Sequence, residues 1–178
     1  MGTFMSEPPD YLVLKRHRDL EGRRHEIWVR RGLLGVLLAI PVLALANVFG
    51  QHPTTSRAAS GSATLEVYAP SRVRGGLLYE ARFRVTAVNE LKDAHLVLSP
   101  GWLEGMTVNT IEPSVSNETS ANGNLVLSLG DIPAGHVFLL FFQSQVNPTN
   151  VGHRNANVAL FDGGTQLVSL HRTITVFP

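Results

Sequence analysis

The chain has no cysteine among its 178 residues. Disulfides, thiolate nucleophiles and cysteine-ligated metals are therefore excluded, and any folded part is held by its core alone. Charge is sparse as well: Asp, Glu, Lys and Arg make up 16% of the residues and the formal net charge is +1. Residues 61–178 carry seven Lys/Arg against nine Asp/Glu, so the C-terminal part lacks the basic footprint of a nucleic-acid binder. Catalytic signatures are also missing. Nothing matches G-x-S-x-G or G-x-x-x-x-G-K-[ST]. His25-Glu26 opens like H-E-x-x-H but meets Val29 where the second histidine belongs. No two of the seven histidines stand at i,i+4, and the acidic residues do not follow the calcium-loop pattern. Gly163-Gly164 has no helix after it to complete a phosphate cradle. These absences predict a protein that is not an enzyme and uses no cofactor or metal.

What stands out is Gly32 to Gly50, GLLGVLLAIPVLALANVFG, 19 residues without a charge. As a helix it would reach about 28 Å, close to the roughly 30 Å hydrocarbon core of a bilayer. Residues 1–31 carry seven Lys/Arg, and only Arg57 follows nearby. The positive-inside rule then keeps the N-terminus in the cytoplasm and places the C-terminal part outside the cell membrane. Trp28, Arg30 and Arg31 fall at headgroup depth, which makes them the membrane-interface residues and the lipid bilayer a partner.

The same stretch permits another reading. Ala44-Leu45-Ala46 fits an A-x-A cleavage site, and Arg30-Arg31 resembles a twin-arginine export signal. The run is longer than the usual 7–15-residue apolar region of a signal, and that length favours a retained single-pass anchor. Residues 51–62, QHPTTSRAASGS, have the small, polar composition of a linker. The division expected is a basic cytoplasmic head (1–31), a transmembrane helix (32–50), a linker (51–62) and an extracytoplasmic domain (63–178).

From Ala63 the hydrophobic period is two. Leu65, Val67 and Ala69 alternate with Thr64, Glu66 and Tyr68, and Leu77 to Ala87 alternates again with Glu80, Arg82 and Arg84 on the polar side. That polar side reads as a solvated charge ladder rather than a ligand site. Further strands are expected around His95–Leu98, Met106–Ile111, Leu125–Leu129, His136–Val146 and Asn157–Phe161, with the last strand, from Leu167 to Phe177, closing the chain. Residues 113–124 lack apolar periodicity and read as a mobile loop. Seven or eight strands and no helix in this part predict an all-β, immunoglobulin-like antiparallel β-sandwich, with a small barrel as runner-up.

The segment LSLGDIPAGHVFLLFFQSQV, Leu127 to Val146, resembles the strand–turn–strand signature of bacterial cell-surface immunoglobulin-like repeats. With ANVFGQ at 46–51, PGWLEGMTVNTIEP at 100–113 and the closing HRTITVFP, the chain resembles a family of uncharacterised bacterial single-pass membrane proteins. That resemblance implies an extracytoplasmic immunoglobulin-like domain and no known activity. The functional expectation is a membrane-anchored, non-catalytic domain that binds another protein, a multi-pass membrane protein being one candidate. The alternatives are a carbohydrate- or cell-wall-binding module, or a secreted sandwich if the apolar stretch is a cleaved signal. Trp102 reads first as a core anchor and second as a binding aromatic. Trp102, Phe138 and Phe142 make up the candidate partner surface. N-terminal sequencing of the protein recovered from membranes is expected to read through the basic head; a start at Asn47 would overturn the anchor.

Overall fold

A computed structural model describes residues 24–48 and 50–178. Most of the basic head, residues 1–23, lies outside them, as does Phe49. The chain divides into two units, Met1–Val48 and Phe49–Pro178.

The first unit contributes helix α1, Arg24–Leu45, RHEIWVRRGLLGVLLAIPVLAL. Its 22 residues reach about 33 Å. Leucine, isoleucine, valine and alanine line all its faces, and every described side chain on it is exposed. The helix starts eight residues before the uncharged stretch and stops before that stretch ends. Asn47 adopts φ 55°, Val48 N–H donates to the Leu43 carbonyl at 3.0 Å and Asn47 N–H to the Ala44 carbonyl at 3.0 Å. This is a Schellman stop with asparagine in the left-handed position. It leaves 14 uncharged helical residues, Gly32–Leu45, or about 21 Å, in place of the 19 expected.

The second unit is built of strands. In chain order they are β1 (Pro53–Ala59), β2 (Ala63–Pro70), β3 (Arg72–Arg74), β4 (Leu78–Ala87), β5 (Leu91–Leu98), β6 (Met106–Glu112) and β7 (Asn117–Ala121). Then follow β8 (Asn124–Ile132), β9 (Val137–Val146), β10 (Gly152–Asn155), β11 (Val158–Asp162), β12 (Thr165–Leu170) and β13 (Thr173–Phe177). Two five-stranded sheets form the layers, in the orders β1-β2-β4-β9-β6 and β12-β11-β5-β8-β7; a small sheet, β10-β13-β3, joins them. Every pairing is antiparallel except β13 with β3. The fold is an immunoglobulin-like β-sandwich, as the alternation predicts.

Three expectations need correction. Residues 51–62 are not a linker, because β1 pairs with β2 along its whole length, from Pro53↔Pro70 to Ala59↔Thr64. Residues 113–124 are not a free loop, because β7 pairs with β8 around an Asn122-Gly123 turn with φ 53° and 78°. Such a turn is the tight hairpin connection that Asn-Gly favours. The strand count rises to thirteen among the described residues, with β3 and β10 as short additions and the expected last strand, Leu167 to Phe177, divided into β12 and β13 at His171-Arg172.

The core lies between the two large sheets. β2, β4 and β9 send Leu65, Val67, Phe83, Val85, Leu140 and Phe142 inward against Leu96, Leu98, Leu127 and Leu160 of the facing sheet. Trp102 closes one end with no exposed surface. Its ring meets Phe83 at 5.2 Å and Phe142 at 6.0 Å between centroids, both edge-to-face, and its Nε1–H donates to the Asn157 carbonyl at 3.2 Å. The neighbouring Gly101 is fixed by contact, since a Cβ there would lie 2.2 Å from the Asn155 carbonyl oxygen.

One buried cation sits in this frame. Arg172, between β12 and β13, is 7% exposed, and burial draws its pKa below the usual arginine value. Its guanidinium donates to the Thr54 carbonyl, Thr54 Oγ1 (3.0 Å) and Ser56 Oγ (2.5 Å) of β1. It also donates to the Val67 (3.2 Å) and Ala69 (2.8 Å) carbonyls of β2. All these acceptors are neutral. Arg172→Met keeps the stem but strands buried acceptors, each costing about 1–3 kcal/mol. It is expected to lower unfolding free energy by about 2–4 kcal/mol in denaturant titrations. Amide exchange in β1 should rise selectively; unchanged protection of β1 would refute the clamp.

Candidate binding faces

The candidate partner surface does not survive in its original form. Trp102 and Phe142 are both completely buried, and Phe138 is half-buried and packed on the core. The reason lies in β9, where both alternating faces are apolar at first. The fold turns Phe138, Leu140 and Phe142 inward and leaves Val137, Leu139 and Phe141 outward. Periodicity does not say which set is core. Trp28 is 70% exposed on α1, with the Arg31 guanidinium 5.4 Å from its ring centre. Arg30 is exposed on the same helix.

The outer face of the β1-β2-β4-β9-β6 sheet carries an organised cluster. Strand register lines up Thr55, Tyr68, Arg82, Phe141 and Glu112 across all five strands. The Arg82 guanidinium lies 5.5 Å from the Tyr68 ring centre and 5.6 Å from that of Phe141. Its Nε–H donates to Glu80 Oε1 at 2.6 Å. The next row is Arg57, Glu66, Arg84 and Leu139, and the one after it ends on the exposed Val137. Beside Phe141, a cup of about 250 Å³ is lined by Glu80, Thr110, Glu112 and Gln143. The charge ladder read from β4 is therefore flanked by aromatic and aliphatic groups from β2 and β9. Neither flank is visible within the β4 segment alone.

The opposite outer face, on β12-β11-β5-β8-β7, is different. One row runs Thr119, Val126, Val97, Ala159 and Ser169; another runs Asn117, Ser128, His95 and Phe161. The His95 and Phe161 rings stack at 5.3 Å and 6°. Among the described residues no group of three His, Asp or Glu is placed to hold a metal ion. Tyr79 is buried and donates to Met106 Sδ at 3.0 Å, and burial pushes its phenol pKa upward.

No protein-family model matches the chain and no curated protein matches it. Among solved structures it is similar to the chitin-binding domain of a chitinase from Pyrococcus furiosus. Identity there is 15%, over 64% of this chain and all of the other, with a TM-score of 0.41. A non-cellulosomal cohesin from Archaeoglobus fulgidus is 13% identical over 62% of this chain and 88% of its own, also with a TM-score of 0.41. With likeness this low, the sandwich assignment rests on this chain's own strand pairing.

Arg82 is exposed, and its contacts are of the kind worth about 0.5–1 kcal/mol each at solvated positions. Arg82→Ala is expected to lower unfolding free energy by about 1 kcal/mol, read as a small drop in Tm, with β-sheet circular dichroism unchanged. A loss of cooperative folding would mean that the face is structural.

Proposed function

We propose that this chain is a membrane-tethered, non-catalytic binding domain that engages a second protein through the outer face of the β1-β2-β4-β9-β6 sheet. The observation that carries this reading is Arg82, held between Tyr68 and Phe141 beside the outward Leu139 and Val137. Tyrosine, arginine and large apolar groups on one rigid surface are the types that dominate protein interfaces. Paired strands fix the backbone that carries them, and the Arg82 contacts to Tyr68, Phe141 and Glu80 lower the ordering cost of binding. A multi-pass membrane protein is the favoured partner, because a tethered domain meets such proteins at high local concentration.

Helix α1 supports the tether. The segment His25–Leu45 is long and apolar enough to cross a bilayer, with the Arg30 and Arg31 side chains reaching back toward the cytoplasmic headgroups beside Trp28. The sandwich then lies on the extracytoplasmic side. One observation favours the secreted alternative: the helix stops at Leu45, one residue short of the Ala46-Asn47 bond, leaving that bond outside regular structure.

The partner face is tested in membranes from cells of the source organism, with a photo-crosslinking residue at position 143. The full-length protein is expected to give one discrete adduct. Arg82→Glu should cut its yield at least tenfold without changing the amount of protein in the membrane. Thr119→Lys, on the other sheet, should leave the yield unchanged. An adduct that persists in both Arg82→Glu and Phe141→Ala would sink the assignment of this face.

A further inference from the structure

From the outer face of the other sheet we infer a second binding site, one for a neutral, polyhydroxylated ligand of the oligosaccharide class. It is a shallow open cleft of about 460 Å³ across β8, β5, β11 and β12, within the roughly 300–1,000 Å³ typical of small-ligand sites. Val97 and Ala159, adjacent in register on β5 and β11, make an apolar floor. Around it stand Asn124, Asn157, Gln166, Ser169 and His171.

The lining contains no Lys, Arg, Asp or Glu. A charged ligand would find no opposite charge there to offset the water it sheds. A purely apolar ligand would bury amide and hydroxyl groups without partners. A sugar avoids both penalties. Its C–H face suits the valine–alanine floor, and its hydroxyls, each donor and acceptor, suit side chains that also offer both.

The polar groups divide by use. Ser99 Oγ at the cleft's edge is engaged by the fold: it donates to the Asn155 carbonyl at 2.6 Å and accepts from Asn157 N–H at 2.8 Å. Asn157 Oδ1 is likewise engaged, accepting from Arg172 N–H at 3.2 Å. The Asn124 and Gln166 amides, the Ser169 hydroxyl and the His171 ring make no hydrogen bond within the described residues and stay open to a ligand. On the same face, two positions along β5 and β11, the stacked His95 and Phe161 rings extend the floor with a flat edge against which a second sugar ring can lie.

The test is calorimetric titration of the full-length protein in a detergent without a sugar headgroup. The probes are neutral tetrasaccharides of glucose, mannose and N-acetylglucosamine, with tetragalacturonate as the anionic comparison. Saturable binding of at least one neutral probe is expected. Asn124→Ala with Gln166→Ala should weaken it at least tenfold, and Ser169→Trp, which fills the cleft, should abolish it. Arg82→Glu should leave it unchanged, which separates this site from the protein-binding face. Tm and far-ultraviolet circular dichroism confirm that each variant is folded. The proposal is overturned if no neutral probe binds, if tetragalacturonate binds more tightly than all of them, or if the folded Ser169→Trp variant binds as well as the parent.

Discussion

A buried positive charge with no negative partner governs how this sandwich closes. Taking a guanidinium out of water is expensive, and the usual remedy is a carboxylate. Arg172 instead reaches carbonyls and hydroxyls of two strands more than a hundred residues earlier in the chain. Its backbone N–H is held by Asn157, whose carbonyl in turn receives the Trp102 indole. The closing strands, the first strands and the aromatic cluster at the end of the core therefore share one connected set of bonds. In a chain without disulfides, this network ties the sandwich's opening and closing segments together. Losing the Arg172 guanidinium would take a donor from the buried Val67 and Ala69 carbonyls, the members of the network that water reaches least.

Much of the architecture could be read from the residues, for a physical reason. β2, β4 and β8 each bury one face and wet the other, so their composition alternates with the pleat. β1 and β7 are edge strands of mostly small polar residues, largely exposed, and nothing in their pattern distinguishes them from a linker or a loop. Asn122-Gly123 was the available signal for the second of these. The end of α1 was hidden as well, because Ala46 and Val48 continue the apolar run past a stop set by backbone conformation at Asn47.

The candidate sites were less legible because they are assembled across strands. Arg82 could be placed on a polar face from β4 alone, but its neighbours Tyr68 and Phe141 come from segments on either side in space. Trp102 and Phe142 drew attention as large aromatics, and size is also why the core takes them. The uncharged cleft is a property of four strands together. No single segment reveals that its neighbours lack charge too.

The placement of the Arg172 clamp also has a mechanical meaning. Residues 46–52 join α1 to β1, and a pull on the chain from that side meets first the Gln51 and His52 bonds to Leu78 and Ser71 and then β1 at Pro53. The first strand pairs to feel that pull are Pro53↔Pro70 and Thr54↔Ala69. An edge strand drawn away from its sheet at one end peels from its neighbour one pair after another, a route that resists force poorly. Arg172 grips Thr54 and Ala69 together at the point where peeling would begin. It acts there as a rivet at the tip of a seam, in series with the His52–Ser71 bonds just before it.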